Sequence, residues 1–458
     1  MRVVVILIVL LAVGAGGAWW WAGRAQPPAI QITQPTRLVG QQGKVDVVVD
    51  THGATLNTFN VVLRQNEKDV PLFDLGDKAA QLTREGDRLR FTRALGKRDF
   101  PQLEPGPARI VATASRPVLF GYRQVQASAS KDFEVRLTPP QVGVQSLHHF
   151  INHGGSEMVV YHVSADAATS GVRVGDDEYR GYPAAGAGIQ STDPGLRVAF
   201  FALLWNQALD TPIQVFARDE VGNEARASFD YRVFPKTFRN SRIAIDDRFL
   251  QKVVPAILQN TPELKVANPN DLVASFLTIN RDLRRANNAT IAALAEHSAP
   301  KILWQGAFKQ LVNTAVEAGF ADQRTYVYKN EPIDNQVHLG FDLASLSAAP
   351  VQAANSGTVV HAGWLGIYGN CVILDHGMGL QSLYAHLSSI DVKVGAAVQL
   401  GDRLGRTGST GLAGGDHLHF TMLLDGRAVT PIDWWSQKWI QDRILRKLAE
   451  AGASAGAS

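Results

Sequence analysis

The sequence contains almost no cysteine and little charge. Its 458 residues include a single cysteine, Cys371, and only 19% are Asp, Glu, Lys or Arg. One thiol excludes an intramolecular disulfide framework, a zinc site built on paired cysteines, an iron–sulfur cluster and a lipid-bearing cysteine near the N-terminus. Cys371 itself lies in an apolar, strand-like run and is interpreted as a small buried core residue. Any metal in this chain must therefore rest on His, Asp or Glu side chains.

The chain also lacks an excess of charge of one sign. It has 45 basic and 42 acidic side chains, a net charge of +3, and no long run of Lys or Arg. A nucleic-acid partner is therefore not predicted. With 45% hydrophobic residues, the chain has enough apolar material for about three domains of ordinary size, which excludes disorder and collagen-like repeats for most of it.

An uncharged stretch follows Arg2 and runs over residues 3–22. A helix of this length, at about 1.5 Å per residue, crosses a hydrocarbon core of about 30 Å. Trp19–Trp21 close it, as an interfacial aromatic belt does, whereas a cleaved signal has a shorter apolar core and small residues before the cut. We predict an uncleaved signal anchor over residues 1–24, a single transmembrane helix; the alternative is a cleaved signal. In a Gram-negative bacterium the protein would lie in the inner membrane, single-pass, with its soluble body in the periplasm.

Short β-type runs, broken by Gly, Asn, Asp and Pro, fill the next two hundred residues. Examples are VDVVV at 45–49, FNVVL at 59–63 and MVVYHV at 158–163. Such spacing is typical of β-sandwiches, and we predict two immunoglobulin-like modules at residues 27–138 and 139–238. They show no catalytic grouping, and an envelope protein is their candidate partner. Three neighbouring histidines are interpreted as ordinary exposed residues in a loop: His148, His149 and His153.

The pattern becomes helical near Ser241. Apolar residues recur at offsets of four, three and four, which defines one face of an amphipathic helix, at Leu272, Phe276, Ile279 and Leu283. We predict a helical segment over residues 241–322, and the sequence leaves open whether it gates substrate or braces the domains. A last helix at Gln437–Ala449 precedes the small-residue tail AGASAGAS, so residues 436–458 are predicted to form a C-terminal helix and a disordered tail.

Histidine is concentrated in the last third of the chain. An even spread of the 12 histidines would place about two of them in the 82 positions from 338 to 419. This segment instead holds six, namely His338, His361, His376, His386, His417 and His419. An enrichment of this size indicates a shared chemical task for several of these imidazoles.

Two short elements within this segment suit a metal. One places His338 four residues before Asp342, and the other is an HxH pair, His417 and His419, in a strand-like run where both rings share a face. Two imidazoles and one carboxylate are a sufficient set of ligands for a catalytic zinc, which keeps its fourth position for water. The attack of water on an amide also needs a group that takes a proton and another that stabilises the oxyanion or protonates the leaving amine. The candidates are His386 and whichever of His417 and His419 is not a ligand.

Four ordered motifs over residues 325–435, about a quarter of the chain, resemble the lysostaphin-type (LytM-type) zinc metalloendopeptidases, which hydrolyse peptide cross-links in bacterial cell walls. The motifs are His338-x-x-x-Asp342, Tyr384-Ala-His386-Leu387, the glycine-rich run 405–415 and His417-x-His419. The resemblance implies one zinc ion per chain, with His338, Asp342 and His419 as its ligands and with His386 and His417 as the catalytic pair. It also implies a small antiparallel β-domain with a groove between the loops at 363–370 and 408–415. One departure is that residues 329–337 lack the tyrosine that some secreted members use near the transition state, so another group does that work or the stabilisation is weaker.

The predicted fold is therefore mainly β, with an N-terminal membrane anchor, two immunoglobulin-like β-sandwich modules, a helical segment and a C-terminal antiparallel β metallopeptidase domain at residues 325–435. The predicted function is zinc-dependent hydrolysis of peptidoglycan stem or cross-bridge peptides. One alternative is a non-enzymatic envelope regulator that activates cell-wall amidases, but a binding surface alone gives no reason to keep every ligand position filled. A D-Ala-D-Ala carboxypeptidase is disfavoured because in those enzymes the first His and the Asp are usually further apart.

Overall fold

A computed structural model describes residues 2–76 and 82–455. Its fold is mainly β, with an apolar helix at the start and a β-domain at the end, so the predicted fold class is confirmed. The described chain divides into two units. The first comprises residues 2–140 together with 218–224, and the second comprises 141–217 together with 225–455. The immunoglobulin-like character and the boundaries of the predicted modules stay predictions.

In its described residues, the first unit contains one α-helix and two sheets that share a core. Its helix is long and apolar enough to cross a membrane. The sheets have the strand orders β1-β3-β7-β6 and β2-β9-β8-β4-β5. Alternate valines of β3 and alternate apolar residues of β4 are buried in one cluster, because a strand turns every second side chain to the same face. The elements are α1 (Arg2–Ala22), β1 (Ala29–Gln34), β2 (Leu38–Val39), β3 (Lys44–Asp50), β4 (Thr58–Gln65), β5 (Lys68–Asp74), β6 (Leu82–Glu85), β7 (Arg88–Ala94), β8 (Gly106–Val118) and β9 (Arg123–Val135).

The second unit begins with a further group of β-strands. They form sheets of order β10-β12-β16-β15 and β14-β13-β17-β18, and β11 pairs with β19. The strands are β10 (Val142–Val144), β11 (His149–Asn152), β12 (Ser156–Val163), β13 (Thr169–Val174), β14 (Asp177–Arg180), β15 (Tyr182–Pro183), β16 (Leu196–Ala202), β17 (Ile213–Arg218), β18 (Glu224–Ser228) and β19 (Tyr231–Phe234).

The prediction for His149 is wrong, because this residue lies in β11 and is buried rather than exposed in a loop. Its Nε2 lies 2.9 Å from Ser146 Oγ, and its Nδ1 donates to the Asp230 carbonyl at 3.0 Å. Burial lowers the pKa of His149 to about 4. A neutral imidazole with both nitrogens paired is compatible with the core.

Helices then connect to the C-terminal domain. The elements are β20 (Asn240–Ile245), α2 (Asp247–Asn260), α3 (Leu272–Thr278) and α4 (Arg284–Ala295), with a π-helical turn at Ile279–Leu283 joining α3 to α4. Asp246 caps α2 by accepting a hydrogen bond from the Phe249 amide at 2.8 Å. The predicted apolar face is present, since Phe276, Ile279 and Leu283 are buried. The helices therefore pack by the face that the sequence pattern defines.

The C-terminal domain is built on an eight-stranded sheet of order β21-β24-β32-β28-β27-β26-β30, with β33 paired to β32. The domain also contains two three-stranded sheets, of order β20-β22-β23 and β25-β31-β29. The elements are β21 (Ala315–Ala318), β22 (Asp322–Tyr328), β23 (Glu331–His338), β24 (Phe341–Ala344), β25 (Pro350–Gln352), β26 (Gly357–Trp364), β27 (Asn370–Gly377), β28 (Leu380–Leu387), β29 (Ser389–Ile390), β30 (Ala397–Val398), β31 (Arg403–Arg406), β32 (Leu418–Leu424), β33 (Arg427–Val429), α5 (Pro431–Trp435), α6 (Gln437–Trp439) and α7 (Arg446–Ala455).

The last helix is longer than predicted. It runs from α6 through a π-helical stretch at Ile440–Leu445 into α7 and ends at Ala455. The prediction of disorder is therefore wrong for residues 451–455, because alanine has the highest helix propensity and Ala451 is buried. The final residues, 456–458, lie outside the described chain.

Candidate metal centre

Strand pairing brings three predicted ligands together. Asp342 of β24 lies directly opposite His419 of β32, so their side chains share a face of the sheet. His338 ends β23, at the edge of a different sheet. His338 Nε2 lies 2.9 Å from Asp342 Oδ1, His419 Nδ1 lies 3.0 Å from the same oxygen, and the two nitrogens are 3.0 Å apart. All three residues are buried.

The hydrogen bonds on the far side of each ring determine which nitrogens face inward unprotonated. His338 Nδ1 donates to the Gly319 carbonyl at 3.1 Å, which leaves a lone pair on Nε2. Thr421 gives its single hydroxyl proton to the Leu339 carbonyl and so accepts from His419 Nε2 at 3.0 Å, which leaves a lone pair on Nδ1. Two lone pairs and a carboxylate oxygen therefore converge, an arrangement that a bound metal ion would stabilise. Nitrogen and oxygen donors held by such outer bonds fit a metal ion.

Gly340 explains how the His338 and Asp342 strands meet the His419 ring. A Cβ atom at this position would lie 2.6 Å from His419 Nε2 and 2.6 Å from Thr421 Oγ1. Either contact is too short for a carbon atom, so a larger residue would displace the ring. The glycine inside the HLGFD motif therefore lets the HxH strand approach its partner.

The charges of the site follow from burial and from the neighbouring rings. Burial acts to raise the pKa of Asp342, but the electrostatic effect of the neighbouring histidines, His338 above all, holds it well below its ordinary value. Burial lowers the pKa of His419 to about 4. A carboxylate with neutral imidazoles is the protonation state that metal binding requires.

A β-bulge brings His386 into the site. Alternation along β28 places Leu383 and Ala385 on one face and Tyr384 on the other, with the core. Strict alternation would place the His386 side chain on the same face as Tyr384, away from His419. However, His386 has φ of 64° and lies at an irregularity in the pairing of β27 with β28. The bulge turns two consecutive side chains to the same face. The His386 ring consequently lies 4.9 Å from the His417 ring and 5.8 Å from the His419 ring.

The glycine-rich loop fixes the tautomers of the other two histidines. His386 Nδ1 donates to the Thr410 carbonyl at 2.8 Å, and His417 Nδ1 donates to the Gly415 carbonyl at 3.0 Å. Gly411, with φ of 72°, permits this loop to touch the facing loop, because a Cβ there would lie 2.4 Å from Gly369 N. Each imidazole thus keeps an unprotonated Nε2, and that of His417 lies 3.5 Å from Asp342 Oδ1.

Burial lowers the pKa of His386 well below its ordinary value, and the neighbouring His417 and His419 lower it further. Burial also acts to lower the pKa of His417, but the Asp342 carboxylate outweighs it and raises that pKa. Two adjacent imidazoles with pKa values shifted in opposite directions can divide the roles of proton acceptor and proton donor.

Arg324 is a site residue that the sequence analysis missed. Its Nη2 donates to Asp342 Oδ2 at 3.0 Å, so it holds the carboxylate oxygen that does not face the histidines, and its Nε lies 3.3 Å from Asp322 Oδ2. The hairpin of β22 and β23, which turns at Lys329-Asn330, sets this position. That turn was the available signal, because it pairs the Arg324 strand with the strand that ends at His338.

A cavity of about 330 Å³ opens over these residues. Its floor carries the four histidines and Asp342, and its walls include Ile367 and Tyr368 from one predicted loop and residues 412–415 from the other. β20 and α2 line it too. Lys252 of α2 donates to the Gly414 carbonyl at 3.1 Å, and Asn287 of α4 accepts from the Ile367 amide at 2.9 Å. The helical segment therefore holds both loops of the predicted groove.

Other candidates lie apart from this cavity. Cys371 is buried, as predicted, and burial raises the pKa of its thiol. His376 is buried between Ser356 and Ser382, with both ring nitrogens 2.7 Å from an oxygen.

No tyrosine lies in residues 329–337, but the ring of Tyr368 stands 5.8 Å from that of His419.

Comparison with known proteins identifies the domain that carries this site. Residues 336–431 match the model of peptidase family M23. The DD-carboxypeptidase/endopeptidase Mpg of Neisseria meningitidis is 36% identical over 124 residues, which are 27% of each protein. The peptidoglycan DD-endopeptidase ShyA of Vibrio cholerae is 38% identical over 100 residues, 21% of this chain and 23% of ShyA. The murein hydrolase activator EnvC of Escherichia coli is 36% identical over 95 residues, 21% of this chain and 23% of EnvC.

The chain thus spans only about a quarter of the length of these curated relatives. The family's motif residues and the convergent histidines lie in the same matched range, since His338, Asp342 and His419 fall within it. The resemblance predicted from the sequence is therefore confirmed for the matched segment, and this chain carries a peptidase family M23 domain at residues 336–431.

Proposed function

We propose that this protein is a zinc-dependent endopeptidase that hydrolyses peptide cross-links of bacterial peptidoglycan. The observation that carries the proposal is the set of four histidines whose outer N–H groups are all held by oxygen acceptors. The free nitrogens of His338, His417 and His419 lie within 3.5 Å of Asp342 Oδ1, and His386 lines the same cavity. The names of Mpg and ShyA, both endopeptidases, support the reaction class. Peptidoglycan as the substrate is taken from the name of ShyA.

In this proposal His338, Asp342 and His419 hold one zinc ion. When bound, zinc acts as a Lewis acid that polarises a carbonyl and lowers the pKa of a water molecule. One Nε2 atom of the His386 and His417 pair accepts the proton that the attacking water loses, and this proton then passes to the nitrogen of the leaving amine. Arg324 keeps Asp342 charged and oriented. The two loops at 363–370 and 408–415 bind the extended peptide across the cavity.

The EnvC match supports a second function, a non-enzymatic activator of cell-wall amidases. The packing of β20 and α2 along the cavity suits either function. The complete ligand set favours catalysis, because a binding surface does not require two imidazoles and a carboxylate with converging lone pairs. An endopeptidase cleaves purified sacculi by itself, whereas an activator leaves them intact and stimulates an added amidase.

The proposed location is the inner membrane, with α1 as a single-pass anchor and the peptidase domain in the periplasm. The helix has the length and composition of a membrane span, and Trp19–Trp21 suit one interface. An envelope protein remains the proposed partner of the β-modules.

The decisive experiment incubates the full-length, zinc-loaded chain with purified sacculi and identifies the released muropeptides by mass spectrometry. We expect cleavage of cross-linked dimers and about one zinc per chain. Loss of terminal D-Ala from monomers alone would instead indicate a carboxypeptidase. Intact sacculi, together with stimulation of an added amidase, would overturn the enzymatic proposal in favour of the activator.

Matched variants connect this activity to the site. His419→Ala and Asp342→Ala should lose both zinc and cleavage. His361→Gln is the control, because His361 lies in the same domain outside the cavity and its Nε2 contacts only the Gly363 carbonyl at 3.3 Å among its hydrogen bonds described here. Equal loss of activity in the control would contradict the assigned site.

A further inference from the structure

The tip of the β8–β9 hairpin in the first unit exposes two aromatic side chains. Each strand has 13 residues, and the tip is residues 119–122. Phe120 is 100% exposed and Tyr122 is 80% exposed. Leu119 and Phe120 have φ of 52° and 54°, a left-handed conformation that non-glycine residues adopt infrequently. The strands thus end in a tight turn whose apolar rings face solvent.

The hairpin lies against the end of α1 at two points. Arg116 donates to the Gln26 carbonyl from Nε at 2.9 Å and from Nη2 at 2.7 Å. Arg123 donates from Nη1 to the Trp19 carbonyl in the last turn of the helix, which also accepts from the Gly23 amide at 3.3 Å. Its guanidinium carbon also lies 5.3 Å from the centre of the Trp19 ring.

These two contacts give the hairpin a direction. Arg123 pairs with Val118 beside the tip, whereas Arg116 pairs with Val125, two positions further from it. Arg123, near the tip, donates to residue 19, and Arg116, further from the tip, donates to residue 26. Toward its tip the hairpin therefore runs back along the chain of α1, from the polar residues after the helix toward its apolar part. Phe120 lies beyond Arg123 in that direction.

The surroundings of the tip have the composition of a membrane interface. Trp19–Trp21 form the aromatic end of α1, and the Arg24 guanidinium lies 3.6 Å from the centre of the Trp20 ring. Arg24, Arg116 and Arg123 place three cations at the same end of the helix. Tryptophan and tyrosine favour the headgroup level of a bilayer, and arginine near it attracts anionic lipid.

We infer that the hairpin tip inserts Phe120 and Tyr122 into the anionic lipid interface that α1 crosses, so that the first unit contacts the membrane at two places. The inference rests on the proposed membrane insertion of α1. A single helix leaves a soluble unit free to tilt, whereas a second contact fixes its orientation to the bilayer. Two exposed rings lose contact with water there, which is favourable for apolar surface.

The test uses the full-length chain in nanodiscs of phosphatidylethanolamine and phosphatidylglycerol. Phe120→Cys carries an environment-sensitive fluorophore, and nitroxide-bearing lipids serve as the quencher. The natural Cys371 is buried, so the unsubstituted chain gives the labelling background. Glu67→Cys is the matched control, because this exposed turn residue joins β4 to β5 at the opposite end of the same five-stranded sheet. Leu11→Cys, in the middle of α1, reports on the anchor itself.

We expect blue-shifted emission and quenching by nitroxide lipid for the labels at 120 and 11, and neither effect for the label at 67. A quenched label at 11 with an unquenched label at 120 would overturn the inference and leave the anchor intact. Unquenched labels at both positions would show that the anchor proposal fails first. A label at 120 that is shielded equally without lipid would indicate a protein contact instead and would also overturn the inference.

Discussion

Two buried polar clusters of the second unit differ in whether their own groups satisfy them. In one, Lys447 Nζ lies 2.8 Å from Glu157 Oε1 and donates to the Met158 carbonyl at 2.9 Å. The same carboxylate accepts from the amides of Phe150 and Met158. Glu157 and Lys447 are at most 1% exposed. This cluster is complete, because opposite charges and backbone groups pair within it.

In the other cluster, His338, Asp342 and His419 direct lone pairs and negative charge at one point, with no cation from these three side chains to share. A buried polar group without a partner is costly. A cluster whose polar groups pair with one another stabilises the fold. A cluster in which unprotonated nitrogens face one carboxylate oxygen is arranged to bind a cation there, in addition to the Arg324 guanidinium on the other oxygen. The two clusters should therefore respond in opposite ways to substitution.

The largest effect is expected from removing a ligand. His338→Ala should abolish zinc binding and reduce hydrolysis to the background rate, because two of the three donors cannot hold the ion. Its melting temperature should nevertheless match that of the wild type in chelator, since the substitution removes one of the converging lone pairs. Elemental analysis and calorimetry with and without chelator provide the measurement. A variant that melts far below the wild type in chelator would show that His338 stabilises the fold without metal, which would contradict the distinction between the two clusters.

The next effect concerns catalysis without loss of metal. His386→Gln should keep its zinc and lower kcat by about 10²–10⁴-fold, the usual contribution of a general acid or base. The His386 ring is in the cavity but contributes no atom to the three-donor set. Zinc content and kcat are measured on the same preparation, with His361→Gln as the control. Loss of zinc in His386→Gln would indicate that His386 is a metal ligand and would contradict the assignment of the three donors.

The complete cluster should show the reverse behaviour. Lys447→Met leaves Glu157 buried without its cation, and removing one partner of a buried pair costs about 3–5 kcal/mol of unfolding free energy. Glu157→Gln combined with Lys447→Met should recover most of this loss. Urea denaturation measures the stability, and zinc content and kcat of the folded fraction should stay at wild-type values. A loss of zinc would mean that the two clusters are coupled.

The contrast also explains how much the sequence could predict. Strand alternation was sufficient to place His417 and His419 on one face, and composition excluded cysteine ligands. The proximity of His338 to Asp342 was not predictable from their spacing alone, because these residues belong to different sheets. The position of His386 depends on a β-bulge, which inserts a residue into the alternation without a local sequence signal.

Contacts that depend on distant pairing were also out of reach. The burial of His149 follows from partners that include Asp230, 81 residues away, whereas the turn at Lys329-Asn330 was a local signal for the contact of Arg324 with Asp342. The small residues at 451–455 are typical of a disordered tail, but alanine also favours a helix whenever one face packs. Local sequence patterns thus suffice to predict the fold class, whereas the geometry of the site depends on pairing between strands that are distant in the sequence.

The smallest effect sharpens the comparison at the edge of the metal cluster. Arg324→Met removes the guanidinium from Asp342 Oδ2 and should weaken zinc affinity by about 10–100-fold, the usual effect of losing a hydrogen-bonding partner of a ligand. Arg324→Lys retains the charge and should recover part of this loss. Competition with a chromophoric chelator gives the dissociation constant, which a purely structural role for Arg324 would leave unchanged. Equal affinities in all three proteins would mean that the histidines and Asp342 hold their geometry without outside support, as the Glu157 and Lys447 pair does.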